Sequence, residues 1–371
     1  MRHVDVVVAG GGPAGSTCAW TLARAGADVL VMDAARFPRD KLCAGWITPR
    51  VLTMLGLAPD EYRSHGLVMQ EMTGFRTSVL PDRRPVSTRY GSVVSYGVRR
   101  CEFDHFLLTR AGVTVLEGAA VSRLRRADDR WIVNDDVSAT VLVGAGGQFC
   151  PVARHLNPPS REGLVIAREI ELAIEGDRCS VEGRLPELYF CRDLDGYGWC
   201  VRKGDFLNIG FGRRTARDFQ AQVREFAAWL SASRGLPERL LDPARWRGHA
   251  YRLRGATPCV ASENVLLIGD AAGLAWPESG EGIAPAVESG MIAGRTIVAG
   301  GGRFAAVDVP AYAIAIGASA KAGLSVPTPL ARRLLRVPAF ARYALNRWFL
   351  RVTTRSARAH APLWEKQNAS M

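Results

Sequence analysis

Three glycines and one acid near the amino terminus have the types and spacing that dinucleotide chemistry requires. The stretch "VVVAGGGPAGSTCAW" places Gly10, Gly12 and Gly15 in a Gly-x-Gly-x-x-Gly arrangement directly after a β-branched run. In such a turn the first glycine permits the tight bend, the second lets a pyrophosphate approach the backbone, and the third lets helix and strand pack closely. Asp33 ends the next apolar run, where a carboxylate accepts hydrogen bonds from ribose hydroxyls. The pattern predicts a dinucleotide-binding site.

The elements that must position these residues can be read on either side of the glycines. "VDVVVAG" is typical of a buried strand, "STCAWTLARAG" of a helix that ends at Gly26, and "ADVLVMD" of a second strand. The helix begins near Pro13 and Ala14, so its free N–H groups and its dipole would face the phosphates. The sequence therefore predicts a βαβ unit with the ligand at its first turn.

A second motif, "NVLLIGDAAGLAWPESGEGIAPAVESGMIAG", favours FAD over NAD. Its strand, Val265–Ile268, leads into a carboxylate that could accept hydrogen bonds from the ribitol hydroxyls of FAD. A helix over Ile283–Val298 would direct its amino terminus at the flavin edge that gains negative charge on reduction. We assign to cofactor binding the residues Gly269, Asp270, Pro277, Gly280, Gly282 and Ile283. No attachment motif is present, so the FAD is expected to be non-covalent, at one per chain.

The composition gives no indication of a nucleic-acid-binding, disulfide-rich, metal-binding or membrane-spanning protein. The 371 residues carry a net charge of +12, almost all of it from arginine, and 48% of them are hydrophobic. No nucleic-acid-binding motif occurs, so no nucleic-acid partner is expected. The eight cysteines are scattered without a C-x-x-C pair, which indicates neither a disulfide framework nor a metal site and favours a reducing cytoplasm. No apolar run is long enough to span a bilayer.

The alternation of helical and strand patterns predicts an α/β fold whose Rossmann-like domain is discontinuous in sequence. We assign residues 1–65, 98–162 and 255–309 to this FAD-binding domain. Residues 66–97 and 163–254 alternate in polarity like antiparallel strands, and we assign them to an inserted substrate-binding sheet. Within the second range, a helix over Ala216–Ser233 is predicted to follow the hairpin strands. Residues 310–371 are predicted to form a helical carboxyl-terminal region.

Four stretches resemble the geranylgeranyl reductase family, within the para-hydroxybenzoate hydroxylase-like superfamily of FAD-dependent oxidoreductases. They are "RFPRDKLCAGWITPR" at Arg36–Arg50, "RRCEFDHFLL" at Arg99–Leu108, "YGWCVRKGDFLNIGFG" at Tyr197–Gly212 and "SGEGI" at Ser279–Ile283. The third is the most specific, because a random strand rarely carries Tyr, Trp, Lys-Gly and Asn-x-Gly at those spacings. Together they touch most of the first 300 residues.

The resemblance implies candidate catalytic residues, although structural alternatives stay open for them. The third stretch is predicted to be a hairpin that turns at Lys203–Asp205, with Tyr197 and Trp199 on one face. The family implies that these aromatics line a pocket beside the flavin, with Cys43 in a nearby loop and Glu281 in the turn before the second helix. Tyr197 and Trp199 could instead be sheet core, and Cys43 an ordinary buried cysteine. Arg100 is assigned to bracing the cofactor-domain loops.

This sequence departs from the family at three places. Val201-Arg202 replaces Phe-Pro, Cys43-Ala44-Gly45 replaces Cys-Gly-Gly, and a Gly-Ala-Gly-Gly loop at residues 144–147 lacks the usual aspartate. Strand alternation turns Arg202 away from Trp199 unless a bulge intervenes. If Arg202 did face the pocket, the substrate should carry a polar or acidic group, because burying an unpaired guanidinium is costly.

The expected activity is hydride transfer from reduced flavin to a C=C bond of an apolar small molecule, with NAD(P)H or an electron carrier as transient reductant. The alternative is a monooxygenase that hydroxylates an aromatic or polyketide-like metabolite, since one fold hosts both chemistries. A third reading is a membrane-attached flavin electron carrier. It depends on residues 329–351, whose apolar stripe is flanked by arginines; that stripe could bind an anionic membrane or pack on the protein.

Overall fold

The computed structural model describes residues 1–82, 85–158, 164–174, 179–214, 216–237, 241–253, 259–276, 280–300 and 307–321. The chain divides into two compact units. Unit 1 comprises Met1–Lys41, Arg100–Val165 and Ala250–Gly323, and unit 2 comprises Leu42–Arg99, Ile166–His249 and Leu324–Met371.

Unit 1 contains a sheet of eight strands whose centre is parallel. Its strands are β1 (Arg2–Ala9), β2 (Val29–Asp33), β8 (Thr114–Glu117), β9 (Leu124–Ala127), β10 (Arg130–Val133), β11 (Val137–Gly144), β17 (Ala261–Ser262) and β18 (Val265–Leu267). The order is β17-β18-β11-β1-β2-β8, and outside this order β10 pairs with β11 and β9 pairs with β10. The pairs from β18 to β8 are all parallel. This is the predicted Rossmann-like core.

The helices of unit 1 follow the strands of this sheet. They are α1 (Pro13–Ala23), α4 (Arg100–Arg110), α5 (Pro151–Leu156), α7 (Ile283–Ala299) and α8 (Val309–Lys321). Helices α1 and α7 pack closely at two glycines of α7. A Cβ at Gly290 would lie 2.4 Å from the Ala14 carbonyl oxygen, and a Cβ at Gly294 would lie 2.7 Å from Thr21 Cβ. The close packing brings both helix amino termini to the carboxyl ends of the parallel strands, where α/β proteins bind ligands.

The described residues of unit 2 form two sheets and the helices named below. The larger sheet has the order β16-β12-β15-β14-β13-β5-β6 and the smaller has the order β3-β7-β4. Their strands are β3 (Trp46–Ile47), β4 (Met69–Met72), β5 (Gly74–Val79), β6 (Val86–Arg89), β7 (Ser95–Val98), β12 (Leu164–Ala173), β13 (Glu187–Phe190), β14 (Gly196–Lys203), β15 (Phe206–Arg213) and β16 (Arg247–Arg252). The helices are α2 (Pro49–Leu55), α3 (Pro59–Ser64) and α6 (Phe219–Arg234).

The two faces of the larger sheet differ in what they bury. One face packs against α6, where Phe226 sits over Gly198: a Cβ at that glycine would lie 2.3 Å from the phenyl ring. The other face carries a second cluster with Trp199, Val201 and Phe190 at its centre. Because side chains alternate along a strand, Tyr197, Trp199, Val201 and Lys203 all belong to this second face.

The predicted hairpin is confirmed. Strands β14 and β15 pair from Gly196↔Arg213 to Lys203↔Phe206, so Gly204 and Asp205 form the turn. The helix predicted over Ala216–Ser233 begins three residues later, at Phe219. The larger sheet also has a parallel pair, β5 with β13, which the sequence reading did not foresee, because the chain makes a long excursion between these strands.

The predicted carboxyl-terminal helix is present in part, as α8. Residues 329–351, the proposed membrane-binding segment, lie outside the described residues, so this hypothesis stays a prediction. Within the described part of the chain, no helix combines the length and the apolar character that crossing a bilayer requires.

Candidate cofactor and substrate site

The glycine loop after β1 has the backbone geometry that the motif predicts. Gly10 has a φ of 120°, and a Cβ there would lie 2.5 Å from the Ala145 carbonyl oxygen. A Cβ at Gly15 would lie 1.9 Å from the Gly10 carbonyl oxygen, so only glycine lets α1 pack on the loop. Helix α1 starts with Pro13 and Ala14, directly after Gly12. The loop therefore presents the helix amino terminus, as phosphate binding requires.

Asp33 lies at the end of β2 and is already bonded to the backbone. Its Oδ2 accepts from the Gly11 N–H at 2.7 Å and its Oδ1 accepts from the Ala35 N–H at 2.8 Å. The carboxylate therefore fixes the glycine loop relative to β2. A carboxylate oxygen has more than one acceptor direction, so Asp33 retains the capacity to accept from a ribose hydroxyl as well.

The second motif forms a tight turn against the glycine loop. Gly269 has a φ of 59°, and a Cβ there would lie 3.0 Å from Ala14 Cβ. Asp270 follows in a short 3-10 turn, and a Cβ at Gly282 would lie 3.2 Å from its Oδ1. Burial raises the pKa of Asp270, while the positive charges of Lys41 and Arg100 act in the opposite direction. The turn thus brings a carboxylate beside the amino terminus of α7.

The loop that leads into α7 is described at residues 276 and 280–282. Gly280, Glu281 and Gly282 directly precede Ile283, the first residue of α7. The Gly280 N–H donates to the Trp276 carbonyl oxygen at 2.8 Å, and the Trp276 N–H donates to the Glu281 carbonyl oxygen at 3.0 Å, so the loop closes on itself. Pro277 lies outside the described residues, and its assignment stays a prediction.

Arg39 and Arg100 meet at a buried aspartate. Arg100 forms a bidentate pair with Asp104, with its Nε 2.7 Å from Oδ1 and its Nη2 2.8 Å from Oδ2. Arg39 Nη2 lies 3.3 Å from the same Oδ2, and it is 3.3 Å from where a Cβ at Gly12 would stand. This geometry makes Arg39, which the "FPRDK" segment carries, a candidate for contact with the phosphates of the cofactor.

The geometry of unit 1 fits FAD. Among the described residues, a Cβ added at Gly12 would have one protein atom within 4 Å. That atom is Nη2 at the end of the flexible Arg39 side chain. The amino terminus of α1 and the guanidinium of Arg39 lie at this position, which suits a pyrophosphate. Asp33 and Asp270 add two carboxylates at the carboxyl ends of the parallel strands, which suits the hydroxyls of ribose and ribitol.

Tyr197 and Trp199 form an aromatic surface on the second face of the large sheet in unit 2. Their ring centroids are 5.9 Å apart, and Phe190 lies 5.9 Å from Tyr197. Trp199 is only 7% exposed, and its indole N–H donates to Asn208 Oδ1 at 2.7 Å. Trp199 is therefore part of the sheet core as well as part of this face.

Charged residues are buried on the same face, and the sequence reading missed them. Glu169 is 1% exposed and pairs in register with Gly210, which also pairs with Trp199. Lys203 is fully buried, with its Nζ in an ion pair with Glu171. Glu171 also pairs with Arg99 Nε at 3.1 Å. Strand alternation could have indicated the position of Lys203, because it places residues 199 and 203 on the same face of β14.

Burial changes the protonation of Glu169. The loss of hydration raises the pKa of this carboxyl from 4.5 to about 7, although Lys203, the Cys43 N–H and Asn208 favour the charged form. Cys43 lies in unit 2, in the loop before β3, and its carbonyl oxygen accepts from Asn208 Nδ2 at 3.4 Å. Cys43 thus contacts the same sheet that carries Trp199.

The predicted site residues fall into two groups. Unit 1 brings together the glycine loop, Asp33, Arg100, Asp270 and Glu281. Unit 2 brings together Cys43, Tyr197 and Trp199. That the four predicted catalytic residues share one pocket stays a prediction.

Comparison with known proteins agrees with the geometry of unit 1. The sequence model of the FAD binding domain family matches residues 3–299. This chain belongs to that family. The flavoprotein is 33% identical to a menaquinone reductase of Mycolicibacterium smegmatis, over 81% of this chain and 77% of the relative. It is 30% identical to a geranylgeranyl diphosphate reductase of Rhodobacter capsulatus, over 80% of this chain and 75% of the relative.

A solved structure supports the fold of this flavoprotein. A geranylgeranyl bacteriochlorophyll reductase-like protein from Thermoplasma acidophilum superimposes with a TM-score of 0.70 at 20% identity, covering 87% of this chain and 85% of the other. The matches confirm the resemblance to the geranylgeranyl reductase family. The flavoprotein is therefore an FAD-dependent oxidoreductase of the reductase type.

Proposed function

We propose that this flavoprotein reduces a C=C bond in the prenyl chain of an apolar small molecule. The observation that carries the proposal is the aromatic face of unit 2, where the partly buried Tyr197 lies against the buried rings of Trp199 and Phe190. Aromatic side chains offer a large apolar surface to a hydrocarbon chain. The relatives' names mention menaquinone and geranylgeranyl diphosphate, both of which are molecules with prenyl chains.

The residues of unit 1 have defined parts in this proposal. The glycine loop and Arg39 would hold the pyrophosphate, and Asp270 and the amino terminus of α7 would hold and polarise the ring end. Bound FAD, when reduced, would supply a hydride to one carbon of the C=C bond, and a proton taken from solvent would reach the other carbon, while the protein would orient the flavin. Transient NAD(P)H or an electron carrier remains our expectation for the reductant, because the sequence has no second glycine fingerprint.

The residues of unit 2 would receive the substrate. Tyr197 and Trp199 would contact the chain to be reduced, with Cys43 beside them. Arg202 lies on the opposite strand face, and its Nε donates to the Gly204 carbonyl oxygen at 3.1 Å. This guanidinium therefore gives no reason to require an acidic substrate, and a hydrocarbon chain suits the face better.

The test is anaerobic photoreduction of the holoenzyme followed by single-turnover mixing with a panel of substrates. The panel contains geranylgeranyl diphosphate, a prenylated quinone and the same quinone without its prenyl chain. Reoxidation of the flavin supports the proposal if the prenylated compounds alone give a product that stays heavier by two hydrogens after exposure to air, which returns any quinol to the quinone.

Two outcomes would point elsewhere. A product heavier by one oxygen in aerated buffer would support the monooxygenase alternative. Reoxidation by artificial electron acceptors, with every panel compound recovered unchanged, would support the electron-carrier alternative. Trp199→Ala is the matched variant, because it removes part of the aromatic face without touching the residues that hold FAD.

A further inference from the structure

The backbone of Cys43 is held at both of its polar groups by side chains of the large sheet. Its N–H donates to the Glu169 carboxylate, and its carbonyl oxygen accepts from Asn208 Nδ2 at 3.4 Å. The two side chains come from neighbouring strands, β12 and β15. The thiol is held locally too, since Cys43 Sγ accepts from the Gly45 N–H at 3.4 Å.

Asn208 ties this loop to the aromatic face. Its Oδ1 accepts from Trp199 Nε1 at 2.7 Å while its Nδ2 reaches Cys43. Glu171 pairs with Asn208 in register, and Glu169 pairs with Gly210. One layer of buried side chains therefore lies beneath both Cys43 and Trp199.

We propose that Glu169 and Asn208 are positioning residues that set the placement of Cys43 and couple it to Trp199. The inference rests on the proposed function only in giving Cys43 and Trp199 a part in the reaction. The hydrogen bonds from Glu169 and Asn208 to the Cys43 backbone do not depend on that reaction. Sequence reasoning identified neither residue as part of the site.

The hold depends on the protonation of Glu169. Its Oε2 is buried and has no hydrogen-bond partner among the described residues, so an ionised carboxylate would lack part of its hydration. The groups that face it are Lys203 from β14, Asn208 from β15, Glu171 from its own strand, and the Cys43 N–H from the loop. Desolvation outweighs the favourable contacts and raises the pKa to about 7.

The sign of the effect follows from linkage. With the loop in place the carboxyl has a pKa of about 7, against 4.5 when it is fully hydrated. A state that releases the loop and admits water therefore binds the proton more weakly, and deprotonation favours that state. The loop should be held firmly below neutral pH and released more often above it.

Hydrogen exchange of the holoenzyme, without substrate, tests the inference. The measured quantity is the protection of the backbone N–H groups at residues 43–45, corrected for the intrinsic pH dependence of exchange. In the wild type, protection should fall about tenfold between about pH 6 and about pH 8.5. In Glu169→Gln, which keeps an acceptor but cannot ionise, it should change less than about twofold over the same range.

A second variant tests the other contact. Asn208→Ala should lower protection of the loop about threefold already at about pH 6, because one neutral hydrogen bond is lost. Glu225→Gln, the same change at an exposed position of α6 in the same unit, is the control and should behave as the wild type does.

The inference is overturned if wild-type protection stays constant with pH, or if Asn208→Ala keeps wild-type protection. Loss of protection in Glu169→Gln at both pH values would show that the negative charge holds the loop, and it would overturn the predicted direction of the pH effect. No substrate or turnover enters the measurement, so its failure is distinguishable from a failure of the proposed reaction.

Discussion

The indole of Trp199 lies directly over the backbone of Gly210 on the neighbouring strand. A Cβ at position 210 would come within 2.1 Å of the ring, far below any real contact. The glycine is thus what allows Trp199 to lie flat on the sheet with its N–H on Asn208.

Gly210→Ala should therefore displace Trp199 and impair turnover of the prenylated substrate while leaving FAD content unchanged. Forcing a methyl group against a packed ring should also cost about 1–3 kcal/mol of stability. Gly212→Ala is the matched control, two residues along the same strand, because its Cβ would meet its nearest atom at an ordinary 3.4 Å. Product formation and thermal unfolding, measured for both variants, test whether Gly210 is required for the placement of Trp199. Equal behaviour would show that the glycine is unimportant for Trp199.

Gly12→Ala and Gly15→Ala should fail in different ways. At Gly12 an added methyl group meets only the end of the Arg39 side chain within the described structure, so the apoprotein should unfold at nearly the wild-type temperature. The methyl group would stand where the pyrophosphate approaches, and FAD affinity should fall. At Gly15 it would collide with the Gly10 carbonyl oxygen at 1.9 Å, so the apoprotein itself should be destabilised. Calorimetry of the apoproteins and titration with FAD separate the two effects.

Asp270→Ala should weaken FAD binding by about ten- to hundred-fold, since a hydrogen bond to a charged acceptor contributes roughly 1.5–3 kcal/mol. Released flavin, quantified by absorbance after equilibrium dialysis, gives the affinity. Asp28→Ala, which changes an exposed aspartate of the same unit, should bind FAD normally. Wild-type affinity in Asp270→Ala would contradict the placement of the second motif at the cofactor.

Glu169→Gln should stabilise the protein at alkaline pH. The folded-state pKa is raised from 4.5 to about 7, so the wild type loses stability as pH rises between these values and stays penalised above them. Removing the ionisable group should recover up to roughly 3 kcal/mol at about pH 8 and almost nothing at about pH 4. Thermal unfolding of both proteins across this range measures the difference. A variant that is less stable than the wild type at pH 8 would show that the carboxylate is satisfied when ionised.

The sequence by itself determined the cofactor site to a large extent. Gly10, Gly12 and Gly15 act through local backbone geometry, and Asp33 follows at the end of the next strand, so spacing alone predicted their places. The hairpin that carries Tyr197 and Trp199 was also predictable, because a Lys-Gly-Asp turn between two alternating runs specifies its register.

Only the tertiary structure decided which charges are buried on the aromatic face. In the sequence, Glu169 looks like a solvated strand residue and Lys203 like a residue of the hairpin turn. They become buried because β12 pairs with β15 and because the loop at Cys43–Gly45 and strand β7 lie over them: a Cβ at Gly97 would stand 2.9 Å from Lys203 Cγ. The contacts from the Cys43 loop and from β7 join segments more than a hundred residues apart in the chain. The pKa of a carboxyl depends on the solvent and charge that such contacts leave around it, so no local pattern could have indicated a titration near neutral pH.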